Sequence, residues 1–201
     1  INKMIEFISL SQESPYLLFQ KKYEEALSAG QKSIQAIAIS SYNNESNEVD
    51  SRFVNLKFIN EREFIFFSNY NSPKSIAFES HNQIAALFYW PSINVQIRLK
   101  AKINKTSITY NNEYFKNRSL DKNAIAISSD QSRLIDSYEN VIKNYKKSLE
   151  SGKLKKCPDF WGGYSFAPYY FEFWEGHNSR LNKRDVYKKV GNTWNHSVIQ
   201  P

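Results

Sequence analysis

The stretch Phe171-Glu172-Phe173-Trp174-Glu175-Gly176-His177-Asn178-Ser179-Arg180-Leu181-Asn182-Lys183-Arg184 constrains the fold more than any other part of the chain. Phe171 and Phe173 alternate with Glu172 and Trp174, and a period of two marks a strand rather than a helix. The alternation breaks at Gly176 and resumes near Arg184, which predicts two strands joined through a sharp bend. Two arginines and a tryptophan then flank that bend. Guanidinium groups beside an aromatic edge suit a planar ligand that carries an anionic, phosphorylated group. The same residues also fit an ordinary solvated strand end.

The rest of the chain reads as short strands with a few helices. Ser14-Pro15 opens a first helix as N-cap and first helical residue, with Phe19, Tyr23, Ala26 and Leu27 at helical spacing and Gly30 ending it. Strands follow at Lys32 to Ser41, Ser51 to Lys57 and Glu63 to Ser68, with turns at Asn43 to Asn47 and Asn60 to Arg62, so a β-meander is expected. Ser72 and Pro73 cap a helix that runs through Ile76 to Ser80, and a helix start beside Lys74 is a ready anion site. Further strands span Ile84 to Trp90 and Asn94 to Lys105 across a Pro91-Ser92 turn. Asn111 to Arg118 forms a short helix in which Tyr114 and Arg118 share a face. Asp130-Gln131-Ser132 precedes the longest helix, to about Glu150. Its stripe of Leu134, Ile135, Tyr138, Val141, Ile142, Tyr145 and Leu149 reads as core, and Gly152 ends it. Lys153 to Lys156 is a solvated linker, Gly162-Gly163 allow close backbone approach, and a closing hairpin turns at Gly191-Asn192. One domain over residues 1–201 is expected, with a helical segment at 1–31 and the barrel and helices at 32–201.

Several function classes find no support. The formal charge of +7 admits nucleic acid, a membrane surface or phosphorylated small molecules as partners. The tyrosines are scattered along strands rather than set on an RNA-reading motif. There is no Gly-rich phosphate loop, and His81, His177 and His196 lack metal-ligand spacing. No apolar run approaches the ~18 residues of a membrane span. Ile1 to Glu6 carries no signal-peptide pattern, and without an initiator Met the true start is expected upstream. The single Cys157 cannot form an internal disulfide, so a reducing, cytoplasmic setting is expected.

The C-terminal stretch resembles the signature of the pyridoxamine 5′-phosphate oxidase family, which runs aliphatic-or-Phe, Glu, aromatic, Trp, then Arg-aliphatic-His-acidic-Arg. Phe171, Glu172, Phe173, Trp174, Arg180, Leu181 and Arg184 match. Glu175 departs from the usual Gln, His or Gly, Asn182 stands where the family has His, and Lys183 where it has an acidic residue. The resemblance extends from about Lys32 to Gln200-Pro201. It implies an α+β, mainly β fold: an FMN-binding split β-barrel with flanking helices, paired as a homodimer with FMN between the subunits.

It also implies roles. Arg52, Phe53, Val54, Leu56 and Lys57 meet the flavin from one strand, and Lys57 reaches the substrate phosphate too. Phe67, Ser68 and Lys74 serve the cofactor and its phosphate, with Pro73 in place of a second basic residue. Gln96, Gln131, Ser132, Trp174 and Arg184 contact the cofactor. Tyr114 and Arg118 hold the substrate phosphate, joined by Lys122 where the family has Ser. Arg180 and Asn182 bind substrate at the reacting carbon and form the catalytic pair. The implied reaction oxidises pyridoxamine or pyridoxine 5′-phosphate to pyridoxal 5′-phosphate with O2 as acceptor and H2O2 as by-product. Two alternatives stand beside it: a related FMN oxidoreductase acting on a phenazine-type precursor, and a flavin-binding or basic interaction module without turnover.

Overall fold

The computed structural model describes residues 4–201, so the reading of a signal-peptide-free start lies, for Ile1 to Lys3, outside the described residues. In chain order the elements are β1 (Glu6–Ile8), α1 (Ser14–Ser28), β2 (Ala36–Asn43), β3 (Glu48–Asn55), β4 (Phe58–Asn60), β5 (Glu63–Asn69), α2 (Pro73–Ser80), β6 (Gln83–Trp90), β7 (Val95–Lys105), α3 (Ile108–Asn117), α4 (Leu120–Ser128), α5 (Tyr138–Glu150), β8 (Trp161–Glu175), β9 (Lys183–Val190) and β10 (Thr193–Val198). The architecture is the expected mainly β split barrel with flanking helices. No described helix is long and apolar enough to cross a membrane.

The sheet is built on β8. Its first half pairs with β5, from Asn69↔Trp161 to Phe64↔Phe166, and its second half pairs with β9, from Tyr170↔Lys188 to Glu175↔Lys183. On its other side β7 runs antiparallel to it from Tyr164 to Glu175. Pro168 falls between the two halves, where the register against β7 shifts between Lys100 and Ala101. A proline cannot donate to a ladder, so a bulge is where a central strand tolerates one. The path continues β1-β4-β5-β8-β7-β6-β2-β3, and β10 adds to β9 through the Gly191 turn, as the sequence predicts.

Helix α1 packs its apolar stripe against the barrel. Tyr16, Phe19, Tyr23 and Ala26 are buried, and the Phe19 ring lies 5.3 Å from Phe64, 5.3 Å from Phe88 and 5.7 Å from Trp90. Full burial of a side chain such as Phe19 contributes roughly 1.5–3 kcal/mol. The Trp90 indole donates to the Ile34 carbonyl at 3.2 Å, which ties the segment before β2 to the core.

Several boundaries differ from expectation. Glu13, not Ser14, is the N-cap of α1, and Ser14 is its first helical residue. β3 ends at Asn55, so Leu56 and Lys57 lie beyond it. The short strands β1 and β4 and the helix α4 were not predicted; β1 and β4 pair in parallel with each other over three residues. The largest correction is α5. It starts at Tyr138, capped by the Ser137 hydroxyl that accepts from Asn140 N–H, and it is shorter than α1. Its stripe is not core: Leu134, Ile135, Tyr138 and Ile142 are exposed. Periodicity reports that a helix is two-faced, not that a sheet covers the apolar face; the helix that α5 meets is α4.

Gly162 and Gly163 open β8 inside a polar knot. Tyr70 Oη donates to the Gly163 carbonyl at 3.0 Å, Asn111 Nδ2 donates to Tyr70 Oη at 3.0 Å, and Gly163 N–H donates to Asn111 Oδ1 at 2.8 Å. A Cβ on Gly162 would fall well inside contact distance of both Tyr70 and Asn111. Gly162→Ala is therefore expected to cost about 1–3 kcal/mol in urea unfolding. A loss below about 0.5 kcal/mol, the range of a neutral surface change, would show that the knot yields freely.

Candidate functional site

A cavity of about 450 Å³ opens between the β3–β5 side of the sheet and helices α3 and α4. It gathers ten of the sequence-predicted residues: Phe53, Val54, Lys57, Phe67, Ser68, Lys74, Tyr114, Arg118, Lys122 and Gln131. Lys57, Lys74, Arg118 and Lys122 line it, and among the described residues no carboxylate does.

Its floor is a stack of rings. Phe67 lies 3.8 Å from Tyr114 and 5.2 Å from Trp161, with interplanar angles of 9° in both pairs. The Arg118 guanidinium sits 5.0 Å from the Trp161 ring centroid, and its Nη1 donates to the Lys122 carbonyl at 2.8 Å. A cation–π contact and a backbone bond thus hold the guanidinium in one orientation. Arg118 follows α3 as its C-cap rather than lying on the helix face.

At the start of α2, Lys74 Nζ donates to Ser68 Oγ at 3.0 Å and to Ser72 Oγ at 3.1 Å. Burial, helped by the nearby charge of Arg52, pushes the Lys74 amine down to about 8. Ser72 holds the N-cap position as predicted, but its hydroxyl donates to the Asn69 carbonyl at 2.7 Å instead of capping the helix. Arg52 does not line the cavity. Its guanidinium donates to Ser41 Oγ at 2.8 Å and pairs with Asp50 at 2.7 Å.

The other predicted residues lie elsewhere. Leu56 is fully buried in the core. Ser132, with φ of 70°, borders a separate open depression beside Tyr70 and Arg133, and α5 begins six residues later, so the Gln131-Ser132 pair does not sit at a helix start. Gln96, Trp174 and Arg184 form one row across β7, β8 and β9. Arg184 is tied to Glu172 Oε1 through Nε at 2.9 Å and Nη2 at 2.7 Å. Arg180 is exposed in the bend after β8, and Asn182 Oδ1 accepts from His177 N–H at 3.0 Å. Sequence reasoning missed Trp161 as a cavity residue, along with Asn55, Asn69 and Ser129. An aromatic residue directly before Gly162-Gly163 was the signal available for Trp161.

Known proteins resemble this chain in sequence and in fold. Residues 161–201 match the family model described as the pyridoxine 5′-phosphate oxidase C-terminal dimerisation region. A Cytophaga hutchinsonii protein named pyridoxine/pyridoxamine 5′-phosphate oxidase is 37% identical over 193 residues, covering 94% of this chain and 89% of that relative. The solved structure of PhzG from Burkholderia lata, in complex with tetrahydrophenazine-1-carboxylic acid, superposes with a TM-score of 0.88 at 24% identity over 94% of this chain and 93% of that one. A pyridoxamine 5′-phosphate oxidase-related, FMN binding protein from Nostoc punctiforme superposes with a TM-score of 0.76 at 9% identity, over 94% of this chain and 99% of that one. At these identities the two structures speak for the fold alone.

Proposed function

Because the chain belongs to the pyridoxine/pyridoxamine 5′-phosphate oxidase family, we propose that it oxidises pyridoxine or pyridoxamine 5′-phosphate to pyridoxal 5′-phosphate, with FMN as cofactor and O2 as acceptor. The alcohol reaction balances as substrate plus O2 to aldehyde plus H2O2; the amine reaction also consumes water and releases ammonia. FMN, when bound, supplies the hydride acceptor and the reaction with oxygen. The protein's residues bind and orient.

The observation that carries this reading is the lining of the cavity: four cations, an aromatic floor and no carboxylate among the described residues. Phosphate groups meet such a charge well. A ligand with one carboxylate, of the kind bound by the Burkholderia lata protein, would leave much of it unmet. Lys74 and Ser68 would hold the cofactor phosphate near the start of α2, and Lys57, Tyr114, Arg118 and Lys122 the substrate phosphate. Gln96, Trp174 and Arg184 lie on the β7–β9 row, outside the cavity, so we read the protein as a homodimer in which a second copy completes each site.

Aerobic turnover of both phosphorylated substrates by FMN-reconstituted protein tests this directly. Pyridoxal 5′-phosphate and peroxide should appear in step. A flavin-loaded protein that forms neither would sink the substrate assignment. FMN affinity carries a second signature. Because the Lys74 amine is pushed down to about 8, its charge is present at pH 7 and lost as pH rises through that value. FMN affinity should hold near pH 7 and fall by up to about tenfold per unit above pH 8. Lys74→Arg, whose side chain stays charged, should flatten that decline. An equal decline in both proteins would assign it to another group.

A further inference from the structure

The segment between β8 and β9 is closed on itself. His177 N–H donates to Asn182 Oδ1 at 3.0 Å, Ser179 N–H donates to His177 Nδ1 at 3.1 Å, and Arg180 N–H donates to the His177 carbonyl at 2.9 Å. The base of the loop is equally fixed. Gly176 N–H donates to the Asn94 carbonyl at 3.0 Å, and a Cβ on Gly176 would collide with the Asn94 side chain. On the strand that follows, Lys183 pairs with Asp185 at 2.8 Å, and its cross-strand neighbour Glu175 is held by Lys22 at 3.0 Å.

Inside this ring Arg180 has φ of 60°, a left-handed conformation that non-glycine residues rarely adopt. Its guanidinium is exposed and has no hydrogen-bond or ion-pair partner among the described residues. The loop therefore spends its polar groups on its own shape and leaves one cation presented outward. Asn182 is part of that expenditure. An amide oxygen accepts hydrogen bonds but does not titrate near neutral pH, and this one is engaged by backbone.

We propose that Asn182 is a positioning residue: by accepting from His177 N–H it holds the loop that presents Arg180, and it takes no part in proton or hydride transfer. The proposal rests on the oxidase reading for what Arg180 is presented to; the clasp itself does not.

The test uses full-length FMN-loaded protein carrying Asn182→Ala or Asn182→Asp. Alanine removes the acceptor, while aspartate keeps it. Solvent exchange of the His177 amide, read by NMR, reports the clasp without reference to activity. In Asn182→Ala that amide should exchange at least about tenfold faster, and kcat should fall roughly ten- to a hundredfold, the scale of a misplaced catalytic group. FMN occupancy should stay unchanged. Asn182→Asp should keep slow exchange and retain kcat within about threefold, since its carboxylate accepts the same bond. Adding Asn182→Ala to Arg180→Ala should cause little further loss, because one residue acts through the other. Unchanged exchange in Asn182→Ala overturns the proposal. So does an Asn182→Asp protein that keeps slow exchange yet loses as much turnover as Asn182→Ala, and so do additive losses in the double variant. If the unsubstituted protein turns over neither substrate, the oxidase reading fails while the exchange measurement still decides the clasp.

Discussion

Arg180→Ala should lower kcat/KM for the proposed substrate, pyridoxine 5′-phosphate, by about 10²–10³-fold, the usual cost of removing one charged or hydrogen-bonding group from the reacting centre where the proposed function puts it. The reason lies in how the backbone at Arg180 is held. The surrounding loop fixes Arg180 in a left-handed backbone conformation, and no described residue neutralises its guanidinium. A cation presented from a fixed backbone position and left unpaired has no internal partner to give up when it meets a ligand. FMN occupancy should remain within about twofold of the unsubstituted protein, because the proposed phosphate contacts lie in the cavity with Lys74 and Ser68. Steady-state kinetics alongside flavin absorbance would measure both. Equal turnover would remove Arg180 from the mechanism, and a parallel loss of flavin would make it a cofactor residue instead.

The second large effect is on stability, at Glu172. This carboxylate is 1% exposed, yet it sits among three donors. Oε1 accepts from Arg184, Oε2 accepts from Tyr170 at 2.8 Å, and Arg98 lies 3.1 Å from Oε2. Burial alone would raise its pKa, but the bonds from Arg184 and Tyr170 and the charge of Arg98 outweigh it and hold the group below the ordinary carboxylate range. Removing one partner of a buried cluster costs about 3–5 kcal/mol when the remaining charge is trapped. Arg98 is partly exposed and can turn to water, so Glu172→Gln should lose about 2–4 kcal/mol in urea unfolding. The pH dependence has a definite sign. A depressed folded-state pKa contributes stability that is complete above the unfolded value of about 4.3 and is lost as pH falls further, so the variant should lose less stability on acidification than the parent. A variant within about 0.5 kcal/mol of the parent, falling as steeply in acid, would show that the cluster contributes no net stability.

What was legible in the sequence was what is local. The alternation at Phe171–Trp174 and the break at Gly176 predicted the last part of β8, its end and the return in β9, because strand faces and glycine breaks are written residue by residue; the start of β8 at Trp161 was not read. β1 and β4 were not legible. Each has three residues, too few for a period, and each exists because a neighbour pairs with it. The α5 stripe was legible as a pattern but not as a location, since the main contacts of α5 are with α4. At the site, Tyr114 and Arg118 were readable from spacing only as neighbours on a helix. Their link to Phe67, Trp161 and Lys57 depends on contacts between residues far apart in sequence. The separation of the cavity from the Gln96, Trp174 and Arg184 row could not be read from any single segment, because it is set by which strand lies beside which.

The central position of β8 bears on how the molecule is made. A ribosome delivers the chain from its N-terminus, and β8 is among the last elements to emerge. Until it does, β5 and β7 each keep an open edge, and the cavity has Phe67 and Tyr114 but no Trp161 beneath them. Pairings this distant in sequence form late, and open edges are where nascent chains mispair. A chain that stops after α5 would therefore be an unfinished sheet in need of chaperone cover, not a smaller working domain.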